Sequence, residues 1–233
     1  MNGIDTDIWN PATDKLLAAD YDEKSAIKNK KINKKALQES LGLDVDEHKM
    51  VIGLISRLTN QKGLDLVNRV IEQILDENTQ LVVIGTGEPR YENLFKHFQW
   101  KYPDRVSANI FFSEQRAHKL YAAADAMLVP SRFEPCGLTQ LIALRYGTIP
   151  IVRETGGLKD TVSPYNEYEN SGNGFSFGNY DSYDMLNVIN YAKTIYFTQN
   201  EKWQEIIIRA MKSDFSWNFS ADQYAGMYNW LSN

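Results

Sequence analysis

At 233 residues, with 43% hydrophobic and 24% charged side chains, the chain has room for one large α/β domain with appended segments and lacks the composition of a disordered protein. A formal charge of −5 gives no electrostatic footprint for nucleic acid, and the single cysteine, Cys136, excludes an internal disulfide framework or a multi-cysteine zinc site. The start has no basic, apolar leader and no run of 18 apolar residues follows, so a cytoplasmic location without membrane contact is expected.

In chain order, "NGIDTDIWNP" reads as a turn-rich connector. "KNKKINKKALQESLGL" then places Ile32, Ala36, Leu37 and Leu41 on one face of a short basic helix, whose charges read as a solvated face. Residues 1–48 are accordingly taken as a connector with a charged helical segment. From residue 49 strands and helices alternate: "KMVIGLIS" and "GLDLVNRVIEQILDE", "QLVVIGT" and "PRYENLFKHFQWKY", "RVSANIFF" and "SEQRAHKLYAAAD", "AMLVP" and "LTQLIALRYG", then "TIPIVR". Short, continuously apolar, β-branched runs linked by helices predict a parallel, doubly wound Rossmann-like sheet covered on both faces, over residues 49–215. "TGGLKDTV", with its Gly156-Gly157 pair, reads equally as a loop shaping the sugar side of a site or as a plain connection, and "SGNGFSFGNYD" follows it before a helical tail. In the last helix, taken as 216–233, Tyr224, Met227, Tyr228 and Leu231 share a face that should pack on something.

Ligands of open α/β sheets sit beyond the carboxyl ends of the strands, which directs attention to the post-strand loops. Arg57 and Lys62 stand five residues apart after the first strand, with Gly63 opening the next helix. Such a pair suits a diphosphate, because a cation about 4 Å from an anion gains roughly 4 kcal/mol at an effective dielectric near 20. Two solvated surface charges are the plainer reading. Gly85-Thr86-Gly87 makes a turn that lets a ligand approach the backbone, or simply a tight strand-to-helix connection; it is neither GxGxxG nor a P-loop. Phe112 either stacks on a nucleobase or packs in the core. In "PSRFEPCGLTQL", Pro135 biases Glu134 toward extended backbone, and Gly137, Leu138 and Thr139 start a helix whose free N–H groups attract an anion. A carboxylate beside an anion-binding helix end is costly unless positive charge develops between them, as in an oxocarbenium-like sugar leaving a diphosphate. Cys136 has no histidine near it in sequence and reads as a wall rather than a nucleophile, while His118 reads as structural.

With these loops assembled, the chain resembles the C-terminal half of bacterial glycogen synthases and plant starch synthases, retaining glycosyltransferases of two-domain GT-B architecture. The resemblance is carried by "NGIDTDIWNP", "GLISRLTNQKGLD", "VIGTGEPRYE", "AAADAMLVPSRFEPCGLTQL", "YGTIPIVRETGGLKDTV" and the late "DFSW", in the family's order along nearly the whole chain. It implies that Arg57 and Lys62 hold the donor diphosphate and stabilise the departing nucleotide, that Phe112 lies against the adenine, and that Glu134 lies near the transferred glucose. It further implies that Cys136, Gly137 and Leu138 line the sugar hydroxyls and that Thr139 caps a phosphate. The implied reaction moves glucose from ADP-glucose to the non-reducing end of an α-1,4-glucan with retention, using no metal and no cofactor.

Two departures qualify this. A second glutamate, found in related GT-B enzymes eight residues after the first, is replaced here by Ile142, as in glycogen synthases. The "KTGGL" loop of the family's N-terminal domain does not occur, "ETGGL" at 154–158 being a C-terminal feature. The expectation is therefore a donor-nucleotide domain cut out of a longer enzyme, beginning at an added Met1, which binds nucleotide without appreciable transfer. Its last helix would then lack its native cover. The alternatives are a non-catalytic nucleotide-sugar or glucan-binding module, or a UDP-glucose-dependent transferase.

Overall fold

The computed structural model describes residues 2–231; Met1, Ser232 and Asn233 and the side chains of Asp222, Gln223, Asn229, Trp230 and Leu231 lie outside the described residues. Six strands, β1 (Met50–Ile55), β2 (Thr79–Ile84), β3 (Val106–Asn109), β4 (Ala126–Val129), β5 (Ile149–Arg153) and β6 (Phe175–Phe177), form one sheet. Its order is β3-β2-β1-β4-β5-β6, parallel throughout. β1 and β2 run in full register from Met50 opposite Thr79 to Ile55 opposite Ile84. These strands read as unbroken apolar runs because helices cover both faces. On one face α1 (Ala26–Leu41) packs on α4 (Glu114–Ala123); on the other α2 (Leu64–Ile74) packs on α7 (Ser182–Thr198). α3 (Pro89–Lys101), α5 (Thr139–Arg145), α6 (Gly157–Thr161), α8 (Asn200–Met211) and α9 (Trp217–Leu231) complete the element order.

Chain order reverses between β1 and β4, so the loops leaving these two neighbours diverge and open a crevice at their carboxyl ends. The arrangement bears out the predicted class. It adds β6, a three-residue strand inside a stretch read as connection, and makes "GLKDT" a short helix rather than a loop.

The expectation for α1 holds for Leu37, which is buried, and Leu41, which packs against the core, but not for Ile32 or for a wholly solvated set of charges. Its buried face consists of Ala26, Lys30, Asn33, Lys34, Leu37 and Gln38, whereas Ile32 is exposed. Lys30 is drawn in because carbonyl oxygens at the feet of the helices are left without partners by the helical pattern itself. Lys30 Nζ reaches the carbonyls of Ala122 (3.0 Å) and Tyr146 (3.2 Å), which close α4 and α5, and the Thr148 hydroxyl (2.9 Å). Burial pushes the Lys30 ammonium down to about 7, against the attraction of Asp125. Lys34 Nζ binds Asp125 at 2.7 Å. The opening connector is packed too: Trp9 stacks on His118 at 4.0 Å, and His118 Nδ1 lies 2.7 Å from the buried Asp14 carboxylate. His118 is thus structural, as expected. Among the predicted face of α9, Tyr224, Met227 and Tyr228 are exposed.

Candidate functional site

The crevice is built by the loops after β1 and β4. Arg57, Lys62, Ser131, Glu134 and Thr139 line a cavity of about 150 Å³ there, floored by Leu54, Leu128 and Val129 from the two strand ends. Arg57 is exposed, and among the described residues its guanidinium has no hydrogen bond or ion pair. Lys62 closes a single 3-10 turn, Asn60–Lys62, and its Nζ sits 2.5 Å from Glu134 Oε2, which also accepts from the Ser131 hydroxyl at 3.0 Å. The two loops are tied by backbone: Arg132 N–H donates to the Gln61 carbonyl at 2.8 Å, and Gln61 Nε2 to the Phe133 carbonyl at 3.2 Å. Lys62 and Glu134, both expected from sequence to hold a donor, are therefore held by each other, with the free Arg57 beside them in the same cleft.

Cys136, Gly137 and Leu138 form the rim beside this cavity and not its wall. Their shape depends on two contacts. The fully buried Gln140 donates through Nε2 to the carbonyls of Cys136 and Gly137, each at 3.1 Å. From the other side the Gly156-Gly157 pair presses onto the rim: a Cβ on Gly156 would meet the Glu134 carbonyl at 2.2 Å and one on Gly157 the Cys136 carbonyl at 2.0 Å. With φ +46° at Gly156, no side chain fits that approach. The "TGGLKDTV" segment thus touches the rim through the backbone of its glycines and through the Thr161 hydroxyl, which accepts from Gln140 Nε2 at 3.3 Å. Beyond it, the Arg132 and Arg153 guanidinium groups lie 5.4 and 5.5 Å from the centre of the Tyr180 ring, and burial, then the Asp65 carboxylate, pushes the Tyr180 phenol up.

The Gly85-Thr86-Gly87 turn stands next to Arg57. Leu58 N–H donates to the Thr86 carbonyl at 2.8 Å, and Glu88 N–H to the Leu58 carbonyl at 2.7 Å. A Cβ at Gly85 would fall 1.9 Å from the Ser56 carbonyl, so the turn lies flat on the first loop. Phe112 does not pack in the core: it is 78% exposed at the far end of the same edge. Cations at β1, glycine turn at β2 and exposed ring at β3 follow one another along the carboxyl ends of neighbouring strands. Sequence reasoning missed Ser131, Gln140 and Asn109. The last carried a signal, a polar residue closing an apolar strand. Among the described residues no group of three or more His, Cys, Asp or Glu is placed to hold a metal ion, and no helix is long and apolar enough to cross a membrane.

Residues 35–210 match the family model described as "Glycosyl transferases group 1". The chain is 59% identical over 231 residues to a glycogen synthase of Lachnospira eligens, and 53% identical over 231 residues to that of Lachnoclostridium phytofermentans. Each alignment covers 99% of this chain and 48% of the relative. The catalytic domain of starch synthase IV from Arabidopsis thaliana, solved bound to ADP and acarbose, superposes with a TM-score of 0.91 at 38% identity, over 98% of this chain and 48% of that one. The chain spans about half the length of the curated relatives it matches.

Proposed function

Because the chain belongs to the glycosyl transferases group 1 family, we propose that its crevice binds the nucleotide end of ADP-glucose, within a protein that passes glucose to the non-reducing end of an α-1,4-glucan with retention. The observation that carries this reading is the convergence of Arg57, Lys62, Glu134 and Thr139 in one cleft between β1 and β4. A glucan is uncharged and has no use for such cations, whereas a diphosphate leaving group requires them. The GT-B sheet and the ADP in the starch synthase IV structure support it.

In the proposed reaction the bond between glucose C1 and the β-phosphate oxygen breaks, and the acceptor hydroxyl enters on the same face. Its proton passes to the departing diphosphate, so charge and atoms balance without a protein nucleophile. Arg57 and Lys62 take up the negative charge that grows on the diphosphate, and the Glu134 carboxylate faces the positive charge that grows on the sugar. Thr139 and the neighbouring backbone N–H groups hold the phosphate, Phe112 stacks on the base, and Cys136, Gly137 and Leu138 bound the sugar. The acceptor glucan is bound by residues outside these 233.

Calorimetry on the 233-residue chain tests this. ADP binding that Lys62→Ala weakens is the expected result; glucan binding without any ADP binding would overturn it in favour of a glucan-binding module, and tighter UDP than ADP binding would overturn the choice of donor.

A further inference from the structure

An aromatic ring that stacks on a base is useful only if its turn is held while the site is empty, since an unrestrained ring loses its ordering entropy on binding. Phe112 is 78% exposed and its neighbour Phe111 41%, on a turn of four residues between β3 and α4. Phe112 stands outside the buried core. The turn is instead held by polar contacts that meet at Asn109, a side chain only 4% exposed.

The Asn109 carbonyl accepts from Gly85 N–H at 3.1 Å and from Phe111 N–H at 2.9 Å, joining the glycine turn to the aromatic turn. Its Nδ2 donates inward to the Val83 carbonyl at 3.2 Å and the Ser107 hydroxyl at 3.1 Å. The remaining atom, Oδ1, accepts from Arg116 Nη1. The Arg116 guanidinium lies over the Phe111 ring at 4.8 Å, and its backbone N–H is capped by the Ser113 hydroxyl at 3.2 Å. One side chain thus clamps both ends of the turn: it covers one ring and pins the strand end. Only a planar guanidinium can lie flat on a ring while donating in its own plane to an amide oxygen; a lysine ammonium does one or the other.

We propose that Arg116, anchored on Asn109, is a positioning residue for the nucleobase: it holds the turn so that Phe112 stands ready for stacking. This rests on the donor-binding reading above and assigns Arg116 no contact with the sugar or the diphosphate.

The test is titration of the 233-residue chain and its variants with ADP and with inorganic pyrophosphate, which has the charge but no base. Arg116→Ala should weaken ADP binding about five- to tenfold, a fraction of a full base-stacking contact, and leave pyrophosphate binding unchanged within about twofold. Arg116→Lys, which keeps the charge, should behave like Arg116→Ala. In a Phe112→Ala background the Arg116 substitution should cost nothing more, because the two act through one contact. Equal losses for ADP and pyrophosphate, full affinity in Arg116→Lys, or additive losses with Phe112→Ala would each overturn the proposal and leave the donor-binding reading standing. Wild-type chain that binds pyrophosphate but not ADP would instead sink the reading itself.

Discussion

A lysine meets a carboxylate at both ends of the parallel sheet, and the two pairs are finished differently. At the N-terminal edge, Lys34 and Asp125 have side chains 4% and 15% exposed; in the crevice, Lys62 and Glu134 are 17% and 12% exposed. Burial therefore does not separate them; satisfaction does. Lys34 Nζ uses all three donors, on Asp125, the Glu47 carbonyl and the Tyr196 hydroxyl, and Asp125 accepts in addition from Val51 N–H. Among the described residues Lys62 Nζ bonds to Glu134 alone, and it faces an open cavity with two donors to spare. A completed pair fixes structure. An incomplete one is a pair a ligand can take apart.

If that contrast is right, four substitutions should divide cleanly. The largest effect is expected from Lys34→Ala, which strands Asp125: a loss of about 3 to 5 kcal/mol in urea unfolding, with ADP affinity of the surviving folded fraction unchanged. Next, Lys62→Ala in the full-length protein should cost on the order of 10²- to 10³-fold in transfer rate while the melting temperature hardly moves. A large fall in melting temperature there would erase the distinction between the two ends.

Third comes Lys30. Its ammonium is held down to about 7 by burial, against an ordinary value of 10.5, so between those pH values the unfolded chain binds more protons than the folded one. Stability should then climb as pH rises through that window, by up to about 1.4 kcal/mol per pH unit, and the climb should vanish in Lys30→Met. Denaturant titrations from pH 6 to 10 read this directly; a decline over the same range would contradict it. The smallest effect on binding or stability is expected from Glu134→Gln. Freeing Lys62 from its carboxylate should tighten binding of ADP about three- to fivefold while abolishing sugar transfer, a split that calorimetry and a turnover assay together resolve.

The same contrast explains what could be seen in the sequence. β1 to β5 were legible because a sheet covered on both faces demands unbroken apolar runs, and Arg57, Lys62 and Glu134 were legible because the carboxyl-end rule names the loops in advance. β6 was not, since Phe-Ser-Phe among glycines and asparagines is too short to show a period. α1 misled for a physical reason: Lys30 is buried by oxygens at the ends of α4 and α5 and Lys34 by the Asp125 carboxylate, demands set by residues some ninety to a hundred and twenty positions away. Gln140 and Asn109 escaped notice for the same cause. Both act by holding backbone that only the fold brings near them.

The placing of Lys30 has a bearing on how a donor arrives. Every helix that follows a strand here points its amino end toward the crevice and its carboxyl end toward the opposite edge, so the aligned peptide dipoles make the molecule electrically two-ended. A protonated Lys30, resting on the last carbonyls of α4 and α5, cancels part of the negative end and leaves the positive end without a counterweight. A protein of net charge −5 can thus still draw a polyanion toward one chosen face, because encounter is governed by the local field and not by the sum of the charges.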